Sequence, residues 1–146
     1  MLFESISSGA EAESPVWAAS LRAVPDLEPV FSPLVPEPLR LGLETIYEAY
    51  LVHYGRPRLF EPPDADEAVL LGDYLYAHGL VRIADAGGVP AVAAMARLIA
   101  RCAAERADGV GDDGGAWVDA ALELGGGADG SEVARALAAH SARVAS

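Results

Sequence analysis

Between Ala68 and Ile83 the chain reads Ala-Val-Leu-Leu-Gly-Asp-Tyr-Leu-Tyr-Ala-His-Gly-Leu-Val-Arg-Ile, and no other segment narrows the fold so far. Only Asp73, His78 and Arg82 are charged or titrate near neutrality, and apolar side chains occur on every side of a helix drawn through it. A helix with that pattern belongs in the middle of a helical protein, with neighbours all round. Asp73 is then expected to be a buried structural polar group, because a bare buried carboxylate costs several kcal/mol unless it is paired or hydrogen-bonded.

Composition supports the same architecture. Apolar residues make up 52% of the chain and aromatics only 7%, which suits close packing of helices through small residues. No segment alternates with period two for long enough to form a strand. At 146 residues the chain forms one domain, able to bury roughly 68% of its unfolded surface. The reading is a single all-α bundle of about six helices spanning residues 1–146, with 1–13 as a flexible N-terminus.

Turn and cap residues place the helices. Ser14-Pro15 is an N-cap followed by proline at N1, opening a helix that ends before Pro25. Five prolines between Pro25 and Pro38 mark a broken connection, after which a helix runs from about Pro38 to His53 with Gly55 just beyond. Asp64 or Asp66 caps the central helix, which stops near Asp85-Ala86-Gly87-Gly88. Pro90 opens a fourth helix, Trp117–Leu124 form a fifth, and Ser131-Glu132 begin the last.

A net charge of −12 argues against nucleic acid and against an anionic membrane surface, since both reward Lys and Arg. No stretch reaches the ~20 uninterrupted apolar residues of a membrane span, and no secretory leader is readable at Met1–Ser5. Cys102 is the one cysteine, so an internal disulfide and a Cys-based zinc site are excluded and a reducing cytoplasm is expected. His53, His78 and His140 have no metal-ligand spacing. Asp112-Asp113, among glycines 111, 114 and 115, lack the alternating ligands and closing Glu of a calcium loop and read as a solvated turn. No serine sits in a nucleophile elbow, and Gly125–Gly127 lack the Lys and Ser/Thr of a phosphate loop. The expectation is no catalytic residue, no metal and no cofactor of the chain's own. Tyr47, Tyr50 and Tyr76 are candidates for lining an apolar pocket. Leu71, Tyr74, Leu75, His78 and Arg82 are candidates for an interface, because five short helices have too little surface to cover the central one.

Three segments, in order, resemble the trans-polyprenyl diphosphate synthases. Leu51-Val52-His53-Tyr54-Gly55-Arg56-Pro57 is similar to the end of the family's first metal-binding helix and the arginine-rich turn that follows it. Ala68–Ile83 resembles the family's A-V-L-x-G-D-Y-L helix, and the likeness continues through Pro90-Ala91-Val92 to Ala100. Ala120–Gly125 and Glu132–Leu137 resemble the helices leading to its second Asp-rich motif.

The departures from the family bear on chemistry. The synthases hold three magnesium ions on two Asp-rich motifs to draw off pyrophosphate. Here His53 is followed by Tyr54-Gly55, no Lys-Thr pair stands near Trp117-Val118, and the sequence stops at Ser146 before a second motif. The resemblance therefore implies a partial isoprenoid-synthase-like fold without a magnesium site. It implies a non-catalytic, chain-length-determining small subunit of a heteromeric hexaprenyl or heptaprenyl diphosphate synthase, with magnesium supplied only through a full-length catalytic partner. A stand-alone protein that binds an isoprenoid or other apolar ligand, and a structural homodimer, are the competing readings.

Overall fold

The computed structural model describes residues 2–110, 112–127 and 129–144; Gly111 and Ala128, each in a glycine-rich loop singled out above, lie outside them. The chain is all-helical. Its elements are α1 (Leu2–Glu13), α2 (Pro15–Ala19), two 3₁₀ turns (Ser32–Leu34 and Glu37–Leu39), α3 (Arg40–Tyr54), α4 (Ala65–Ala107), α5 (Gly114–Glu123) and α6 (Gly130–Val144). Among the described residues the only β pairing is one isolated antiparallel bridge, Leu21 with Phe60.

The caps fall where the sequence puts them. Ser14 accepts the Val16 N–H at 3.1 Å and precedes Pro15 at N1. Asp64 accepts the Glu67 N–H at 2.8 Å and opens α4. The expected break near Gly87-Gly88 is present as a kink. Gly88 has φ 71° and ψ −167°, a conformation open to glycine, and Pro90 follows in the first turn beyond it. Two expectations of extent change. The helix after Ser14 ends at Ala19, well short of Pro25, and residues 2–13 form a helix with Phe3, Ile6 and Ala10 buried rather than a flexible end.

The helix with neighbours on all sides is α3, not the segment 68–83. Every residue from Gly42 to Val52 is buried. The segment 68–83 lies within α4 and is one-sided: Leu71, Leu75 and Ile83 are buried, whereas Val69, Leu70 and Val81 are 52–60% exposed. By length and composition α4 would be long enough to cross a membrane; here its buried stripe packs along α3.

Glycines set that crossing. A Cβ on Gly79 would lie 2.5 Å from Ile46 Cγ1, one on Gly42 2.7 Å from Ile83, and one on Gly72 would collide with the His53 ring. The main core joins α3 to the far half of α4 and to α5 through residues such as Tyr47, Met95 and Trp117. A second cluster seats α1: Phe3, Ile6 and Ala10 meet Ala49, Val52, Phe60, Leu71 and Leu75.

Candidate functional site

Two polar networks run through this interior. The first is built on α3, where Glu44 and Glu48 stand one turn apart and reach Arg58 in the loop before α4. All three side chains are fully buried. Arg58 Nε donates to Glu48 Oε1 at 3.0 Å, and Nη1 donates to Glu44 Oε2 and to the Glu28 carbonyl. Glu48 Oε2 also accepts the backbone N–H groups of Arg58 (3.0 Å) and Leu59 (2.8 Å). The guanidinium lies over Phe3 and Tyr47, 4.7 and 5.1 Å from the ring centroids. Burial would lower the pKa of Arg58, but the two carboxylates outweigh it and hold it above its ordinary value.

The second network joins α3, α5 and α6. The Tyr47 hydroxyl is 2.8 Å from His140 Nδ1, and His140 Nε2 is 2.8 Å from Asp113 Oδ1. Tyr50 donates to both Asp113 oxygens at 2.6 and 2.7 Å, and Arg106 Nη2 donates to the Tyr50 hydroxyl. With Asp113 as acceptor, His140 donates from Nε2, and its Nδ1 is bonded to the Tyr47 hydroxyl. Burial works to raise the Asp113 pKa, but His140, Tyr50 and Arg106 together hold it below the usual carboxylate value. Burial raises Tyr47 and Tyr50 above their ordinary range and pushes the nearby Cys102 thiol up to about 12.

A Tyr–His–Asp chain has the elements of a general base, but Tyr47, His140 and Asp113 are at most 2% exposed and their polar atoms serve one another. Its physical effect is to pin α5 and α6 onto α3. Asp112, Asp113 and His140 could together bracket a cation, with donor atoms within 4.8 Å of one another. Doing so would break the His140–Asp113 contact, while Asp112 already accepts from Gly114 N–H and Ser141 Oγ, both at 2.9 Å.

These networks revise the sequence reading at named residues. Asp113 is not part of a solvated turn; it is the hub of the second network, and a pair of acids set among glycines gives no hint of that. The buried Glu44–Glu48–Arg58 group was legible: two acids at i and i+4 on an otherwise apolar helix, and one Arg in the apolar run Leu59-Phe60, need each other. Asp73 is not buried. Its side chain is 68% exposed, and it faces His53 Nε2 at 3.5 Å, too far for a good hydrogen bond. Burial lowers the pKa of His53 more than Asp73 raises it, so the imidazole is mostly neutral at pH 7.

The expected interface is also corrected. Leu71 and Leu75 are core residues, 0% and 1% exposed. Tyr74, His78 and Arg82 are half-buried beneath α1 and α2: Tyr74 stacks on Trp17 (centroids 5.9 Å apart) and on His78 (5.5 Å), and Arg82 donates to Thr45 at 2.8 Å. The segment expected to be flexible covers the face expected to be free. Apolar surface left over on α4 lies on the flank beside that face, at Leu70, Ala77 and Val81. Tyr47 and Tyr50, candidates for lining an apolar pocket, are fully buried core residues. They pack against Trp117 at centroid distances of 5.0 and 5.4 Å, and Tyr76 stacks on His53 at 5.2 Å.

The fold and these sites define an all-helical bundle held by two buried polar networks. No family model, curated protein or solved structure matches the chain.

Proposed function

We propose that the protein acts by association, as a non-catalytic accessory subunit, and that the enzyme it serves is a polyprenyl diphosphate synthase. The observation that carries the associative part is the exposed apolar side of α4, with Leu70 and Val81 more than half accessible on a helix whose other side is core. A patch of that kind is what a partner covers. Consistent with this, the residues of catalytic type, His140, Asp113, Tyr47 and Tyr50, bond one another beneath the surface. The choice of enzyme rests on the sequence resemblance alone, chiefly that of Ala68–Ile83.

Co-expression with a catalytic polyprenyl diphosphate synthase encoded in the same genome tests the reading. Size-exclusion chromatography should show one complex, and prenyl transfer should require both chains. The isolated chain should form no bond between isopentenyl and allylic diphosphates, with or without magnesium. Turnover by the isolated chain above a no-enzyme control would overturn the non-catalytic part, and a synthase fully active without this chain would overturn the pairing.

A second reading, a carrier of an isoprenoid or similar apolar ligand, draws on a groove of about 500 Å³ between α2 and the loop before α4. It is lined by Pro15, Val16, Ala19 and Pro63, with Glu61 and Glu67 at its edge. Saturable binding of farnesol, competed by Val16→Trp, would favour it.

A further inference from the structure

The charges of this chain are unevenly committed. It contains no lysine, and its ten cations are all arginine. Each arginine is engaged inside the chain: Arg22, Arg40, Arg56 and Arg135 on carbonyl oxygens, Arg82 on Thr45, and the other five on carboxylates. The 22 acids outnumber them by more than two to one. Asp66, Asp73 and Asp85 stand exposed along the outer side of α4, interleaved with Leu70, Ala77 and Val81.

Residues 66, 70, 73, 77, 81 and 85 recur at steps of four and three and so fall along one side of the helix. Beside it runs a shallow groove of about 230 Å³ lined by Glu13, Tyr74, Ala77, His78 and Val81. From Asp66 to Asp85 the stripe spans about 30 Å at 1.5 Å per residue.

We propose that this side of α4 is a docking surface for a basic amphipathic helix of another protein. The apolar positions take the partner's apolar stripe, and Asp66, Asp73, Asp85 and Glu13 take its Lys or Arg. A second copy is a poor occupant. Paired antiparallel, it sets Asp66 against Asp85; paired parallel, it sets Asp73 against Asp73; and the stripe itself carries no arginine to answer those acids. A lipid surface is disfavoured by the acids set among the apolar residues. The inference rests on the associative reading above and supplies its face and the partner's chemistry.

The test uses the full chain and a fluorescein-labelled peptide of about 18 residues, with leucine on one helical face and lysine on the other. Binding should weaken as salt rises. Leu70→Ser/Val81→Ser should weaken it about tenfold, equivalent to ~1.4 kcal/mol, and Asp66→Asn/Asp85→Asn should weaken it and flatten its salt dependence. Leu122→Ser, elsewhere on the surface, should leave it unchanged, with circular dichroism confirming that each variant is folded.

Equal binding of a leucine–glutamate peptide, or of the lysine peptide to the Leu70→Ser/Val81→Ser protein, would overturn the proposal. So would a concentration-dependent dimer abolished by Leu70→Ser, or sedimentation with phosphatidylcholine–phosphatidylglycerol vesicles abolished by it. No synthase enters this assay, so its failure sinks the face, whereas failure of co-expression sinks the choice of enzyme.

Discussion

Arg58 is the residue whose loss the structure makes most costly. Its guanidinium is fully buried between Glu44 and Glu48, and it also donates to the Glu28 carbonyl. Arg58→Met keeps the length and apolar character of the stem, so the packing under Phe3 and Tyr47 changes little. It leaves two acids one turn apart on α3 with no cation between them. Removing one partner of a buried ion pair costs about 3–5 kcal/mol, a large share of the ~5–15 kcal/mol that holds a domain together. At about 2–4 °C per kcal/mol for a chain near this size, Tm should fall by roughly 6–20 °C. The control is Glu44→Met/Glu48→Gln/Arg58→Met. Glu48 Oε2 accepts the N–H groups of both Arg58 and Leu59, and a glutamine oxygen placed there keeps both bonds. Buried ionic groups replaced together by apolar residues are often neutral or better, so the triple variant should regain most of the loss. Urea denaturation with constant m-value would measure both. The reasoning fails if Arg58→Met costs less than about 1 kcal/mol, or if the triple variant is no more stable than the single one.

Two further outcomes follow from geometry and titration. Gly79→Ala gains up to ~1 kcal/mol of helix propensity, but its Cβ meets Ile46 Cγ1 at 2.5 Å and the Ile46 backbone nitrogen at 3.1 Å; it should destabilise by about 1–3 kcal/mol net, whereas Gly115→Ala, with nothing within 4 Å, should raise Tm slightly. Acid should act in two windows. His53 and His78 have folded pKa values below 6.5, chiefly through burial, so the unfolded chain binds more protons and stability falls as pH drops from 6.5 toward the folded values. Asp113 and Asp26 have folded values below 3.8, so their contribution is present above 3.8 and is lost only as pH falls through the folded values. His53→Gln/His78→Gln should flatten the first window in thermal melts between pH 7 and 5 and leave the second in place.

How much of this was readable beforehand differs by element. Caps and breaks are local, and local signals sufficed: Ser14-Pro15, Asp64 and Gly88-Pro90 each act within a turn or so of themselves. Burial is not local. The run 68–83 is more apolar than 42–52, yet 42–52 is the segment enclosed on all sides, because α1, α4, α5 and the loop holding Arg58 all converge on α3. Its polar groups made it look less buried than it is. Glu44 and Glu48 are tolerated there only because Arg58, ten and fourteen residues away, returns to them, and Thr45 bonds the Leu41 carbonyl at 2.7 Å. Asp113 is the same case at longer range, since its partners lie 63 and 27 residues distant.

The misplaced interface shows how a sound area argument can select the wrong side of a helix. The premise holds: α4 has more apolar circumference than the other helices cover, and Leu70 and Val81 remain exposed. What decides the side is that residues 2–13 are helical. Phe3, Ile6 and Ala10 recur at steps of three and four, a narrow apolar stripe on an otherwise polar helix, and that stripe is what seats α1 on Leu71 and Leu75. Once α1 occupies that side, Tyr74 is held by Trp17, and Arg82 by Thr45, within one chain. A glutamate at Tyr74 would then disturb the α1–α2 seat before it disturbed any partner. Leu70 and Val81 are exposed and outside the core, so substitutions there are expected to change the proposed association without unfolding the chain, and those two positions, and not Tyr74, separate a binding defect from a folding one.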